Sequence, residues 1–561
     1  MLKRSFITRV AVVLATLAST TAVAACGTLG PAGSESNLEH ALNIATGPDG
    51  PFVAGLSPFS LSDSPATMGV TTLVYEPLLM YNAAEPSEVP KPWLASAYRW
   101  SDGGRRLTFT IPGGRTWSDG QPLTARDVAF TFNLINRVAA LNIHGITLTG
   151  AVAPSAHQVV LSFAAPAYTQ LYSIAEVFIV PEHIWAKIKN PASYANPNPV
   201  GSGPYLLDGI TPTEMIFTRN PHYWQPGLPK LKTVRVLDFT SQQAVLNAMS
   251  AGQIDWDNVF MANIKDQWTD ENPVHNEVWL PDVGSAFICP NTKVAPFNNP
   301  LVRRALALTF DRQQAVPEVE NRFYTPATNP TGLPLSYGDS IPAQYRNQVL
   351  TYNPKLAHRM FLQAGMKQGA GGQLLLADGK PFKLSVLLPS GYTDWMSLGE
   401  VWVQELQAVG IDATLEGVSS NAYTSDTDAG NYQVTFDAVW TSNGAYTTYN
   451  TMLNGSLTAP LGKAAISNIV RWDDPATNAA LAAYASTDNP AAQLAAIHKI
   501  ASIVAEQAPI IPLMTASSFG SYSTKKVTGW PDAANPYQTN SISSGTPFPE
   551  DVILHLSPRK W

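Results

Sequence analysis

Polar and apolar residues alternate along residues 106–111, with Leu107, Phe109 and Ile111 set against Arg106, Thr108 and Thr110. That period of two is the signature of a strand with one buried face. Ser-Asp-Gly stands on both sides, at 101–103 and 118–120, and each copy reads as a turn. The period then changes. Val128, Phe132 and Ile135 fall on one face of a helix that begins after Thr124, a good N-cap, and Asp127 is placed to complete a capping box. Strands are also predicted at 41–45, around Val159, Leu161 and Phe163, and at 411–416, and Pro181 opens a short helical start. Two longer amphipathic helices are predicted. One carries Leu398, Val401, Trp402, Leu406 and Val409 and closes on Gly410 as its C′ glycine; the other carries Leu494, Ile497, Ala501 and Val504. Strands alternating with helices in the later part predict an α/β layer architecture, and no repeat of solenoid period is present.

The first residues have another character. Lys3, Arg4 and Arg9 precede a short apolar run at 10–18, interrupted only by Thr16, and small residues lead to Val23-Ala24-Ala25-Cys26-Gly27. This is the pattern of a signal peptide over 1–25, too short to span a membrane. A cysteine directly after small residues resembles the lipobox of bacterial lipoproteins, which implies acylation of the Cys26 thiol and cleavage before it. Residues 26–37 are small and polar, as a flexible tether requires. Two acyl chains on a diacylglycerol suffice for stable anchoring. The other cysteine, Cys289, reads as a small buried residue, and with Cys26 acylated no disulfide forms.

Composition narrows the function. A chain of 561 residues is too long for one core, so two or three lobes are expected. The formal net charge of −7 becomes more negative once residues 1–25, with Lys3, Arg4 and Arg9 and no acid, are removed, and no basic patch points to nucleic acid. No later stretch of about 20 apolar residues exists, so membrane contact is expected through the lipid alone. The nine histidines show no His-x-His or His-x-x-x-His spacing and two cysteines cannot build a soft site, so no metal site is expected. Gly201 and Gly203 read as tight turns; without G-K-[S/T] they do not read as a phosphate cradle. G-x-S-x-G and H-E-x-x-H are absent, so no catalytic residue and no cofactor is assigned.

The stretch W-S-D-G-G-R-R-L-T-F-T-I-P-G-G-R-T-W-S-D-G-Q-P-L-T-A-R-D-V-A-F-T-F at 100–132 closely resembles the signature of the extracellular solute-binding proteins of family 5, which feed ABC importers of peptides and nickel. Further matches follow in the family's order. Gly55-Leu56-Ser57-Pro58, Val74-Tyr75-Glu76-Pro77-Leu78, Gly201-Ser202-Gly203-Pro204-Tyr205 and Asn220-Pro221-His222-Tyr223-Trp224 come first. The segments at 248–255, 291–311 and 352–365, Pro509-Ile510-Ile511-Pro512-Leu513 and Val527-Thr528-Gly529-Trp530 come after them. The resemblance runs from about residue 40 to about residue 535.

The resemblance implies a two-lobed α/β periplasmic-binding-protein-like fold (class II, type C cluster). A first lobe would take 38–285 plus 513–561, with an extra subdomain inserted at about 73–198, and a second lobe would take 286–512. Two crossings, near Ser285 and Pro512, would make a hinge that closes on a solute. The implied protein is a monomer, held outside the cytoplasm on the cell membrane by its N-terminal lipid. It would capture oligopeptides or peptide-like solutes and deliver them to an ABC permease pair with its ATPase pair. In the family, a carboxylate shortly after a tryptophan takes a peptide's α-amino group. Here Trp440 stands in place and Asn443 occupies the carboxylate position, keeping hydrogen bonding and losing the charge. Tyr446 and Tyr392 add aromatic surface to the implied ligand site. A peptide ammonium would then be disfavoured, or read by another acid, Asp394 and Asp437 being nearest in sequence. Two alternatives remain open: the same fold binding another solute such as an oligosaccharide, which stacks on aromatics and bonds to amides, and an envelope lipoprotein with a regulatory role and no transport.

Overall fold

The computed structural model describes residues 41–559 apart from 47–50, 54, 61–62, 87, 259–263, 320–323, 440–443 and 543–545. The signal peptide at 1–25, the tether at 26–37, Cys26, Trp440 and Asn443 lie outside the described residues.

The chain enters with β1 (Leu42–Ala45) and then builds an antiparallel sheet from β2 (Ala97–Ser101), β3 (Arg106–Thr110), β4 (Gly150–Ser155) and β5 (Gln158–Ser162), in the order β2-β3-β5-β4. The alternation in β3 is realised: Leu107 and Phe109 are buried while Arg106 and Thr110 are exposed. Helix α1 (Ala125–Arg137) packs on this sheet. Its capping box is formed. The Thr124 N–H donates to Asp127 Oδ2 at 2.8 Å, and the Arg126 N–H donates to Thr124 Oγ1 at 3.2 Å. Asp127 Oδ1 also accepts the Glu182 N–H at 3.0 Å, so one cap ties two segments together.

The chain continues through β6 (Tyr205–Thr211), β7 (Glu214–Arg219), β8 (Thr233–Leu237), β9 (Trp256–Asp257) and β10 (Asn276–Val278). The second lobe follows with β11 (Asp282–Pro290), β12 (Lys383–Pro389), α2 (Thr393–Ala408), β13 (Asp412–Val418), α3 (Ser420–Ala429), β14 (Val434–Val439), α4 (Gly444–Leu453), α5 (Pro475–Ala485), α6 (Pro490–Gln507) and β15 (Ile511–Ser517). Finally β16 (Ser521–Ser523) and α7 (Phe548–His555) return to the first lobe. The first lobe is built on a seven-stranded sheet, ordered β10-β16-β9-β1-β8-β7-β6, and the second on a five-stranded sheet, ordered β13-β12-β14-β11-β15. Separate apolar cores line the two faces of the second sheet. Val386, Leu388, Leu398, Trp402 and Phe436 belong to one, and Phe287, Cys289, Val439, Tyr449 and Ile500 to the other. Cys289 is fully buried, as expected for a small core residue.

The neighbouring strands β11 and β15 carry the chain into and out of the second lobe, pairing antiparallel with register shifts between Asp282 and Gly284 and between Ala286 and Phe287. Asp282 accepts hydrogen bonds from Thr515 Oγ1 at 2.8 Å and Ser517 Oγ at 3.1 Å. Burial pushes its carboxyl up, and the hydroxyls of Thr515, Ser517 and Thr325 pull it back.

Glu76, fully buried, gathers the first lobe. Its carboxylate accepts from Trp93 Nε1 at 3.1 Å, from Trp224 Nε1 at 2.9 Å and from the Tyr223 hydroxyl at 3.1 Å. The same hydroxyl reaches Glu550 of α7 at 3.4 Å. Burial raises both carboxyls, and the neighbouring Glu76 pushes Glu550 further in the same direction. The Arg115 guanidinium stacks 3.9 Å from the centre of the Trp224 ring, which brings a positive charge to the cluster.

The glycines at 201 and 203 differ from the turn expectation. Neither has a positive φ. Gly201 lies against the backbone of Val74 and Gly203 against that of Leu73 and Val74, and the Gly203 N–H donates to Val74 O at 2.9 Å. A Cβ at Gly201 would stand 1.8 Å from Val74 O. Gly410, by contrast, takes φ +98 just beyond α2, as its C′ role requires. Gly201→Ala is therefore expected to cost about 3 kcal/mol, the upper end for overpacking against backbone that cannot yield. Gly209→Ala, where nothing lies within 4 Å, is expected to stay within about 0.5 kcal/mol. Urea unfolding of the two variants measures both, and equal midpoints would contradict the close approach.

Candidate functional site

Strand order in the second lobe creates one place suited to a ligand. Strands β12 and β14 are adjacent and parallel. From β12 the chain leaves through α2 to β13, on one side of the pair; from β14 it leaves through α4, α5 and α6 to β15, on the other. The core residues of α2 cluster on one face of the sheet and those of α4 and α6 on the opposite face. Two neighbouring strands whose connections depart in opposite directions leave a crevice outside their carboxyl ends, the switch point of an open α/β sheet.

The pairing deepens that crevice. β12 matches β13 along all seven of its residues, but meets β14 only at Val386↔Val434 and Leu387↔Thr435. Beyond Leu387 the two strands part. The Tyr423 hydroxyl, from α3, donates to Phe436 O in the parted stretch. Asp437 follows, on the same face as Thr435 and opposite Phe287 of β11. It is half-buried, and its Oδ1 accepts the Ala438 N–H at 2.8 Å. Burial pushes its carboxyl up to about 6, and Asp428 adds a smaller push in the same direction. Tyr423 lies within electrostatic reach of both Asp437 and Tyr392.

Of the residues expected to hold a ligand, Tyr392 lies in the segment between β12 and α2, at the carboxyl end of the crevice. It is 51% exposed, with its ring edge-on to Trp395 at 5.5 Å. Trp440 and Asn443 fall between the end of β14 and the start of α4, outside the described residues. Tyr446 sits in the first turn of α4 and is already engaged. Its ring stacks on Tyr484 of α5 at 4.4 Å and 17°, its hydroxyl donates to Asn450 Oδ1 at 3.3 Å, and it also meets Thr169 of the first lobe. Burial raises its phenol. Asp394, the other acid near these loops, lies in the first turn of α2.

The first lobe comes up to this end of the sheet. A Cβ on Gly444 would stand 3.7 Å from Pro86 O, and the Tyr172 hydroxyl donates to Pro86 O at 3.4 Å and to Glu88 O at 3.3 Å. Tyr81 and Tyr172, edge to face at 5.1 Å, lie within electrostatic reach of Tyr337 in the second lobe. A different cavity, about 340 Å³ and lined by Ser385, Leu387, Glu416 and Gln433 among others, opens beside β12 and the segment that leads into β14. Among the described residues no group of three or more His, Cys, Asp or Glu side chains is placed to hold a metal, and no helix is long and apolar enough to cross a membrane.

Tyr423 was not singled out from sequence, and its only signal there is its place in a helix between two strands. Glu76 was visible only as part of a motif.

Comparisons with known proteins agree with this fold. The periplasmic murein peptide-binding protein MppA of Escherichia coli is 24% identical over 447 residues, 74% of this chain and 78% of that protein. Protein XP55 of Streptomyces lividans is 26% identical over 425 residues, 73% of each chain. The crystal structure of a periplasmic oligopeptide-binding protein of an ABC transporter from Thermotoga maritima superposes with a TM-score of 0.77 at 23% identity, covering 94% of this chain and all of that one; a mannohexaose-bound crystal of it gives 0.67. The model of the bacterial extracellular solute-binding proteins, family 5 Middle, matches residues 89–459. With its two α/β lobes and more than half its length matched, the chain belongs to family 5 of the bacterial extracellular solute-binding proteins.

Proposed function

We propose that this protein captures oligopeptides or peptide-like solutes between its lobes and hands them to an ABC permease pair driven by an ATPase pair. The observation that carries the reading is the switch-point crevice of the second lobe, which opens where Pro86 and Tyr172 of the first lobe approach. Trp440, Asn443, Tyr392 and Tyr446 are the residues we assign to the ligand, with Tyr446 at the contact between the lobes. The first lobe takes 38–285 plus 513–561, with the subdomain at about 73–198 inserted, and the second takes 286–512. Closure turns on β11 and β15, where the register shifts interrupt the ladder and Asp282 holds the strands together through side-chain hydroxyls. The protein works as a monomer without catalysis, outside the cytoplasm, tethered through an acylated Cys26 after removal of residues 1–25.

A second reading is an oligosaccharide ligand. Asn443 in place of the family's carboxylate favours it, as do the aromatic loops; the Thermotoga protein with the same fold has been crystallised with mannohexaose. Native mass spectrometry of the protein purified from its own host separates the two: peptide masses in the released ligand support the first reading, hexose ladders the second. Cys26→Ala is expected to move the protein from the membrane fraction to the soluble one, and retention at wild-type level would refute the anchor. Small-angle scattering with saturating ligand is expected to show a smaller radius of gyration; an unchanged radius would count against closure.

A further inference from the structure

A carboxylate that is half-buried without a cation needs a reason. Two other acids of this chain have side-chain partners. Asp255 has Lys526 at 3.0 Å, and Asp282 has its hydroxyls. Asp437 has the neighbouring Ala438 N–H, a contact that an asparagine or serine would serve as well. The titratable groups around it are Tyr423 and Asp428 of α3, Cys289 of β11 and Tyr432 just before β14, with Arg471 turned toward Asp428 and Tyr432. Among the described residues none supplies it with a positive partner. The segment 388–394, which leads from β12 into α2, contains no Lys, Arg or His. The carboxylate lies in the stretch where β12 and β14 have parted, within electrostatic reach of the Tyr423 hydroxyl that bonds Phe436 O.

We propose that Asp437 determines specificity in this cleft, its carboxylate receiving a positively charged nitrogen of the ligand at the parted ends of β12 and β14. This rests on the reading of the cleft as the solute site. It also gives Asn443 a consequence: the charge missing after Trp440 is supplied from the strand before it. The chemistry required is an ammonium or guanidinium, whether the α-amino end of a peptide, a basic side chain or an amino sugar.

The test is calorimetry at pH 7.5 with matched pairs, on wild type and Asp437→Asn. Ala-Ala-Ala amide carries only an α-ammonium, acetyl-Lys-Ala-Ala amide only a side-chain ammonium, and acetyl-Ala-Ala-Ala amide neither; glucosamine trimer is set against N-acetylglucosamine trimer. In at least one pair the cationic member is expected to bind wild type about tenfold tighter, the difference between a charged and a neutral hydrogen bond, and Asp437→Asn is expected to erase that preference. The pair that responds identifies the source of the nitrogen. A response confined to the sugar pair would overturn the peptide reading above and leave the role of Asp437 supported. No cationic preference in wild type, or one that survives Asp437→Asn, overturns the proposal.

Thermal melting of the unliganded protein gives a second readout. Burial holds the folded carboxyl near 6, so the folded state binds that proton more tightly than the unfolded chain and the ionised group weakens the fold above about pH 6. Asp437→Asn should therefore melt higher than wild type at pH 7.5, with the gap narrowing as pH falls from 6 toward 4. A lower melting temperature at pH 7.5 would show a carboxylate braced by the fold, and would overturn the proposal on its own.

Discussion

One buried carboxylate holds the first lobe together. Glu76 sits among Trp93, Tyr223, Trp224 and Glu550, groups contributed by separate stretches of the chain. A lone carboxylate at that depth would cost several kcal/mol. It is tolerated because indole and phenol donors fill its lone pairs and Arg115 lies over the Trp224 ring. Removing one donor therefore strands a charge as well as losing a bond, so the segments of the lobe depend on each other.

The second lobe solves a different problem. Its sheet has to present a recessed polar site without exposing its cores, and it does so through connectivity. The helices leave on opposite faces and the central pair of strands separates after two matched residues. What the separation leaves unpaired is taken up by side chains: Tyr423 bonds Phe436 O, and Asp437 is left facing solvent in part. A polar group kept in a destabilising setting is the usual price of a binding site.

Local features were legible in the chain. The capping box of α1, the alternation of β3 and the glycine closing α2 depend on neighbours within a turn or two, so residue type and spacing decide them. The glycines at 201 and 203 announced themselves, but their reason did not. A glycine serves either a positive φ or a close approach, and the backbone it approaches here, Leu73 and Val74, is remote in sequence. The aromatic loops were found through family resemblance, yet Tyr446 proved to be stacked on Tyr484, a partner that periodicity cannot name. Asp437 could be read as an acid near Trp440; that it stands beside a gap follows only from the order of strands across the sheet.

The hydrogen bonds joining the two ends of the first lobe span almost the whole described chain. Gln538 accepts from the Ala83 N–H at a separation of 455 residues and donates to Tyr81 O across 457, next to the helix that brings Glu550 to Glu76. The second lobe, by contrast, draws its five strands from one uninterrupted stretch, from Asp282 to Ser517. The halves must therefore mature at different times, because non-local pairing waits for its last partner. As the polypeptide emerges amino end first, the continuous lobe can complete its sheet while the split one still lacks its final helix. A molecule lacking that helix thus owns a crevice but no finished counterface to shut over it.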